Sequence, residues 1–199
     1  MKKIFLILSP VILFAGLYFL FYTPEIKHPP GILVNTSPIQ TNLKDPIIWE
    51  KDNYSITAIA EFTIELRVLS IKSYGSDEMS SFSPIDIAAG WGKMSDQSIL
   101  DKITIKQQHR WYVWNVSQFP IPQKEIELSS TNIHIIPANN NVNSLLEEII
   151  KGNIVMLKGY LVNVKSNKSK RTWKTSTKRN DTGSGACEIL WTEEVLIFK

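Results

Sequence analysis

The chain has 199 residues, a formal net charge of +3, and a composition that is 43% hydrophobic and 21% charged. This length fits one domain, or one domain with an appendage, and the composition excludes a largely disordered, collagenous or many-pass membrane protein. A single cysteine excludes a disulfide scaffold and a structural zinc site of the Cys₄ or Cys₂His₂ type.

An apolar segment near the N-terminus predicts a transmembrane anchor over residues 1–22. From Ile4 to Tyr22 the chain runs for 19 residues without a charge, directly after Lys2 and Lys3. A helix of this length spans roughly 28 Å, close to the hydrocarbon thickness of a bilayer. The two lysines place the N-terminus in the cytoplasm. We therefore expect a single-pass protein of a bacterial inner membrane, with the lipid bilayer as a partner and the C-terminal domain in the periplasm.

A cleaved signal peptide is the alternative interpretation of this segment. The apolar run is longer than the core of a usual signal peptide, and residues 18–22 lack a small-residue cleavage pattern. The aromatic side chains at this end suit the interface of a membrane. We therefore favour an uncleaved anchor.

Residues 23–49 predict a proline-rich stalk between the anchor and an exported domain of residues 50–199. They contain five prolines and little hydrophobic periodicity, and proline both fixes φ and removes a backbone donor. The alternative is a strap that lies along the domain surface, with docking that begins at Ile47, Ile48 and Trp49.

The first predicted strand, Tyr54–Lys72, alternates apolar and polar side chains with a period of two. After it, Ser83-Pro84-Ile85-Asp86 predicts a short helix, because a serine cap and a proline at the first helical position favour a helix start. Ser95 or Asp96 can cap a second short helix that continues to Lys102.

The second half of the chain predicts further strands around one convincing helix. The strands are predicted at Ile103–Val116, Asn132–Pro137, Ile154–Val164, Arg171–Thr177 and Cys187–Phe198. The helix covers Val142–Lys151, because its apolar residues share one face and Gly152 suits a C-terminal cap. Trp111 and Trp114 cannot share one face of a regular strand, so at least one of them is expected at the surface.

This order of elements predicts an α+β fold with one main helix, preceded by a single transmembrane helix. The sheet is small and mostly antiparallel, or it closes into an OB-like barrel, in which a helix lies between the third and fourth strands. Several unrelated α+β folds share that order, so both arrangements stay open.

A basic segment from Lys165 to Arg179 carries seven positive charges in 15 residues and no acidic residue. It could bind an anionic surface, for which lysine suits a diffuse electrostatic contact. The alternative is a solvated hairpin without a ligand. We do not expect nucleic acid as a partner, because the domain is predicted to be exported. The candidate binding residues are Lys168, Arg171, Trp173, Lys174 and Arg179.

The catalytic candidates are His134 and Cys187. A hydrolase would need the His134 ring within about 3–4 Å of the Cys187 sulfur or of a serine hydroxyl such as that of Ser130. A histidine that alternates with isoleucines in a strand is more often a hydrogen-bonded structural residue. The sequence contains no complete metal or cofactor signature, so we expect neither a metal nor a cofactor.

Six motifs occur together between residues 54 and 195. They are Ser83-Pro84-x-Asp86, Trp91-Gly92-x-Met94-Ser95-Asp96, Arg110-Trp111-Tyr112-x-Trp114, Asn132-x-His134-x-Ile136-Pro137-Ala138, Gly159-Tyr160-Leu161-Val162 and Arg179-Asn180-Asp181-Thr182-Gly183-x-Gly185-Ala186-Cys187-Glu188. This set resembles an uncharacterised family of bacterial hypothetical proteins. The resemblance implies a hydrophobic N-terminus and one exported domain. It implies no activity and assigns no catalytic residue.

The leading hypothesis is a non-catalytic, membrane-anchored periplasmic module for binding or envelope assembly. Its expected partner is an envelope protein or an anionic envelope component. One alternative is a hydrolase that uses His134 with Cys187 or a serine. Another is a binder of anionic surfaces that acts through Lys165–Arg179.

Overall fold

The computed structural model of the chain describes residues 24–77, 79–183 and 185–198. The strands are β1 (Ile39–Lys51), β2 (Tyr54–Ser73), β3 (Ile85–Gly90), β4 (Thr104–Gln108), β5 (Trp111–Asn115), β6 (Ser130–Pro137), β7 (Ile154–Ser166), β8 (Thr172–Trp173) and β9 (Glu188–Phe198). The helices are α1 (Gln97–Leu100), α2 (Gln123–Leu128) and α3 (Asn140–Glu147), and a 3₁₀ turn covers Gly92–Ser95. The α+β class with mostly antiparallel strands is therefore confirmed.

Five strands pair in a closed ring in the order β2, β3, β6, β9 and β7, and β7 pairs again with β2. The pairs are antiparallel except for β6 and β9, which run parallel. All five strands contribute buried apolar side chains to one core cluster, among them Phe62, Ile87, Ile133, Leu157 and Leu190. The main core therefore lies inside the ring.

Helix α3 lies between β6 and β7 in the chain and closes one side of this core. Its buried residues Val142 and Leu146 pack into the core cluster. The Asn139 side chain caps the helix by accepting a hydrogen bond from the Val142 N–H at 3.0 Å. The predicted helix is confirmed, although it ends at Glu147 and not at Lys151.

A hairpin of β4 and β5 is inserted between β3 and β6 and forms a separate two-stranded sheet. Tyr112 and Trp114 pack from this hairpin into a second apolar cluster, which contains Met94 and Ile126. The alternate residue Trp111 is 42% exposed. The prediction of at least one surface tryptophan on this strand is confirmed.

The helix predicted to start at Ser83-Pro84 is wrong, because this segment leads into strand β3. All six residues of β3 are buried, and the strand pairs with β2 on one side and with β6 on the other. Backbone pairing on both sides therefore outweighs the local capping signals. The second predicted helix is confirmed in shorter form, since the Asp96 side chain caps α1 by accepting from the Ser98 N–H.

Part of the segment predicted as a stalk belongs to the folded domain. Residues 39–51 form β1, which pairs with β2 and adds an outer strand to the ring. The pairing is interrupted between Asn42 and Ile47, and Pro46 lies in this irregular stretch. Proline has no N–H to donate to a neighbouring strand, and it is tolerated here because the pairing is interrupted at this position.

The preceding residues 24–34, which we call the strap, are held against the domain by hydrogen bonds. The Ile26 N–H donates to the Lys151 carbonyl at 2.8 Å, and the Gly31 N–H donates to Asp96 Oδ1 at 3.0 Å. The strap thus matches the surface alternative for this part of the chain.

The predicted anchor at residues 1–22 lies outside the described residues. In the part of the chain that the structure describes, no helix is both long enough and apolar enough to cross a membrane.

Replacing Gly152 by alanine should detach the strap. Gly152 has a φ of +93°, and a Cβ there would lie 2.0 Å from the Ile26 carbonyl oxygen. Gly183 has a similar φ of +81° but has open space around it, so G183A is the matched control. We expect G183A to lose about 1 kcal/mol of unfolding free energy from backbone strain and G152A to lose about 2 kcal/mol more. Chemical denaturation measures both, and equal losses would contradict the packed strap.

Candidate functional site

Asp86, Arg110 and His134 meet on the outer face of the ring, and we call these three residues the Asp86 cluster. Asp86 and His134 are directly opposite each other in the β3–β6 pairing. Arg110 comes from the two-residue turn of the β4–β5 hairpin, where His109 and Arg110 have φ values of +50° and +67°. Residues other than glycine rarely have a positive φ of this size. The contacts of Arg110 help to stabilise the turn.

Arg110 joins the loop of residues 74–84 to strand β3. Its guanidinium donates two hydrogen bonds to Asp77, at 2.8 and 3.1 Å, and one to Asp86 Oδ1 at 3.0 Å. It also lies 3.9 Å from the centre of the Tyr74 ring. Burial would raise the pKa of Asp77, but the hydrogen bonds and charge of Arg110 lower that pKa below its ordinary value.

His134 is held between Asp86 and Trp173. Its Nδ1 lies 3.0 Å from Asp86 Oδ1, and its ring centre lies 4.4 Å from that of Trp173. The side chain is only 3% exposed. These contacts fit the structural alternative for His134, in which it supports the strand and the adjacent indole.

Beside the Asp86 cluster is an open cavity of about 460 Å³, which we call the Trp173 groove. It is lined by Asp77, Met79, Arg110, Val164, Ser166, Arg171, Thr172 and Trp173. Trp173 pairs with Val164 across β8 and β7, so the indole is positioned by backbone hydrogen bonding as well as by the His134 ring.

The structure separates the five predicted binding residues into two groups. Arg171 and Trp173 line the Trp173 groove, while Lys168 and Lys174 are exposed on the same segment. Arg179 lies elsewhere, with its guanidinium paired to the buried carboxylate of Glu188. Burial raises the pKa of Glu188, and the charge of Arg179 opposes that shift. Arg179 therefore has a structural partner and does not belong to the groove.

A second cavity, of about 300 Å³, lies between the β4–β5 hairpin, the start of β6 and the loop that ends at Cys187. The Tyr112 hydroxyl lies 2.7 Å from Ser130 Oγ, which donates to the Ile126 carbonyl. Burial raises the pKa of Tyr112 to about 12. Burial, followed by the nearby charges of Glu188 and Asp86, raises the pKa of the Cys187 thiol to about 12.

The geometry does not favour a nucleophile–base pair between His134 and Cys187 or Ser130. Ile133 is opposite Glu188 in the parallel β6–β9 pairing, so Cys187 comes beside Asn132, which lies two residues before His134. Ser130 lies four residues before His134 on the same strand, or roughly 13 Å along it. A thiol with a high pKa is also a poor nucleophile at neutral pH, since the thiolate is the reactive form.

Of the eight residues that line the Trp173 groove, only Arg171 and Trp173 were predicted from the sequence; the other six include Asp77, Met79 and Arg110. Asp77 and Met79 lie in an irregular loop that has no periodic pattern of its own. Arg110 was assigned to the middle of a strand because a His-Arg turn lacks the asparagine or glycine that marks tight hairpins. Among the described residues, no group of three or more His, Cys, Asp or Glu side chains could hold a metal ion.

The chain matches no protein-family model, no curated protein and no solved structure. The resemblance to an uncharacterised bacterial family therefore stays a prediction. The candidate site is defined by the contacts of this chain's own residues.

Replacing Arg110 by methionine should strongly destabilise the domain. Arg110→Met leaves the carboxyl group of Asp86, which has no exposed side-chain surface, without its guanidinium partner. We expect a loss of about 3 kcal/mol of unfolding free energy. The control is Lys93→Met, which breaks the exposed pair of Lys93 with Glu125 and should cost less than about 1 kcal/mol. Similar small losses in both variants would contradict a structural role for the Asp86 cluster.

The alkylation rate of Cys187 tests the burial of its thiol. With a pKa of about 12, the thiol ionises little at pH 8, whereas an unfolded thiol has its ordinary pKa near 8.5. We expect iodoacetamide to react at least about 100-fold more slowly with the native chain than with the chain in urea. The native rate should still rise about tenfold per pH unit between pH 8 and 10. A plateau below pH 9 would show a reactive thiolate.

Proposed function

We propose that the chain is a membrane-anchored, non-catalytic binding module of the bacterial periplasm, and that it binds its ligand in the Trp173 groove. The anchor and the orientation follow from the apolar run of residues 4–22 and from the two lysines before it. The observation that carries the binding role is the groove itself, which is lined by a positioned indole, by the apolar side chain of Met79 and by the exposed cationic residue Arg171.

We further propose that the closed ring is an OB-type barrel. Its pairing order, its parallel pair and the position of α3 between the third and fourth strands of the ring support this assignment. OB barrels bind oligonucleotides and oligosaccharides on the face of their second and third strands, between the loops that follow the first and fourth. Here those loops are residues 74–84 and 167–187, and side chains from both line the Trp173 groove.

The chemistry of the groove suits an anionic ligand with a flat apolar face. Trp173 and Met79 provide apolar surface on which such a face can pack. Arg171 lines the groove, Lys168 and Lys174 are exposed on the same segment of the chain, and these positive charges favour an anionic ligand. An acidic saccharide of the cell envelope has both properties, since its rings present C–H faces and its carboxylates carry charge. We therefore propose an acidic saccharide as the ligand class.

The two alternative functions have weaker support. A hydrolase needs His134 beside a nucleophile, whereas its neighbours are Asp86 and Trp173, and the pKa of Cys187 is raised to about 12. A binder of anionic surfaces would use the same exposed lysines. It would not need the apolar groove around Trp173, which is why we favour a ligand that enters the groove.

Binding of a tetragalacturonate to the full-length chain in detergent tests this function. Trp173→Ala should weaken binding at least about tenfold, because it removes the apolar wall of the groove. The matched control is Trp111→Ala, which removes an exposed tryptophan on the β4–β5 hairpin and should leave the affinity unchanged. Lys168→Glu with Lys174→Glu should also weaken binding, with a smaller dependence on salt.

Equal affinities of the Trp173→Ala variant and the unmodified chain would overturn the assignment of the groove. Tighter binding of a single-stranded oligonucleotide than of the saccharide would replace the proposed ligand class. Binding of anionic vesicles that is independent of Trp173 would favour the anionic-surface alternative. Shortening of the saccharide during the titration would favour a hydrolase.

A further inference from the structure

The last residues of β9 expose two large apolar side chains on the outer face of the ring. Leu196 and Phe198 are each 45% exposed, whereas the alternate residues Val195 and Ile197 pack with the main core. Across the pairing, Leu196 is opposite Met156 and Phe198 is opposite Ile154. The outer face therefore has an apolar patch at this end of β7 and β9, where a water-exposed sheet normally carries polar side chains.

The strap brings the start of the described chain to this patch. Glu25 forms an ion pair with Lys151 at 3.0 Å, and the Ile26 N–H donates to the Lys151 carbonyl. Strand β7 begins only three residues later, at Ile154. Ile26 is itself 36% exposed.

The sequence before the strap leaves little distance between the proposed anchor and the domain. Its apolar run ends at Tyr22, and only Thr23 and Pro24 separate it from Glu25. Three residue steps span at most about 11 Å, and a headgroup layer is roughly 5–8 Å thick. Glu25 must then lie at or just outside the headgroups. Because the strap is fixed to the domain, the adjacent patch lies at the same level.

We propose that Ile26, Met156, Leu196 and Phe198 form a membrane-contact patch that rests on the headgroup region of the bilayer in which the chain is anchored. This inference rests on the proposed anchor. The stabilisation comes from apolar side chains that enter the boundary between headgroups and acyl chains.

Charged residues mark the limits of the membrane-contact patch. Lys27 is exposed beside Ile26 and can pair with a lipid phosphate. Glu25 is already paired with Lys151, so its charge is compensated. On the other side, Lys158 and Glu194 are opposite each other and end the apolar surface.

This contact also orients the ligand groove. Val164, which lines the Trp173 groove, is ten residues beyond Ile154 on the same strand, or about 33 Å along it. With the start of β7 at the bilayer, the Trp173 groove lies at the far end of that strand. The domain then presents its groove to ligands from the periplasmic side and not to the lipids beneath it.

Photo-crosslinking of the full-length chain in vesicles of phosphatidylethanolamine and phosphatidylglycerol tests the inference. The photoreactive residue p-benzoylphenylalanine replaces Phe198 in one variant and Trp111 in the control, since both positions hold aromatic side chains of similar exposure. Vesicle flotation shows separately whether the chain is anchored. We expect both variants to float, and we expect lipid adducts to form at least about tenfold more at position 198 than at position 111.

Flotation without lipid adducts at position 198 would overturn the membrane-contact patch but leave the anchor intact. Crosslinks from position 198 to another copy of the chain would mean that self-association covers the patch, which also overturns the proposal. Equal amounts of lipid adduct at both positions would mean that the domain has no fixed orientation on the bilayer, which also overturns the proposal. Failure to float would overturn the anchor and this inference together, while leaving saccharide binding in the groove to be judged by its own titration.

Discussion

The length of strand β2 is the constraint on which the rest of the structure depends. Its 20 residues pair with β7 along most of their length and with β3 at their end, and this double pairing closes the ring. Arg67 lies where the two pairings meet, and its buried guanidinium donates to the Ser95 carbonyl and to Gln97. Burial lowers the pKa of Arg67, although nearby acidic groups oppose the shift. Because Gln97 also accepts from the backbone of His28, ring closure and strap attachment share one hydrogen-bonded centre.

The second organising feature is the guanidinium of Arg110, which joins three segments that are distant in the sequence. It connects the hairpin turn to the loop of residues 74–84 and to strand β3, while the neighbouring His134 supports the ring of Trp173. A mobile loop would lose conformational entropy on binding a ligand. Here the walls of the Trp173 groove are held by contacts within the chain, made by Arg110 and His134. The Arg110–Asp86 ion pair is buried, so the side of the groove that Arg110 forms is tied to strand β3 by a contact within the chain.

The regular parts of this fold could be predicted from the sequence, and the parts defined by distant contacts could not. The alternation in β2 and the apolar face of α3 are local patterns, so both were found. Strand β3 was missed because Ser83 and Pro84, directly before it, favour a helix start, and only pairing on both sides makes it a strand. Strand β1 was not predicted because its segment contains prolines, and the pairing of β1 with β2 is interrupted at Pro46.

The basic segment could be recognised from the sequence, but the partner of Arg179 could not. Glu188 lies on β9, and only folding brings it next to Arg179. Likewise Met79, Val164 and Trp173 share no sequence pattern, and folding alone places them in one groove.

The central claim is that an anionic saccharide enters the Trp173 groove without being cleaved, and the methionine methyl groups of the chain can test it most directly. The sequence contains four methionines. Met79 lines the groove, Met94 is buried in the second apolar cluster, and Met156 lies on the membrane-contact patch. In the full-length chain labelled at these methyl groups, tetragalacturonate should shift the Met79 signal, leave the Met94 and Met156 signals unchanged, and remain intact. An unchanged Met79 signal at saturating saccharide, or a shortened saccharide, would contradict the account.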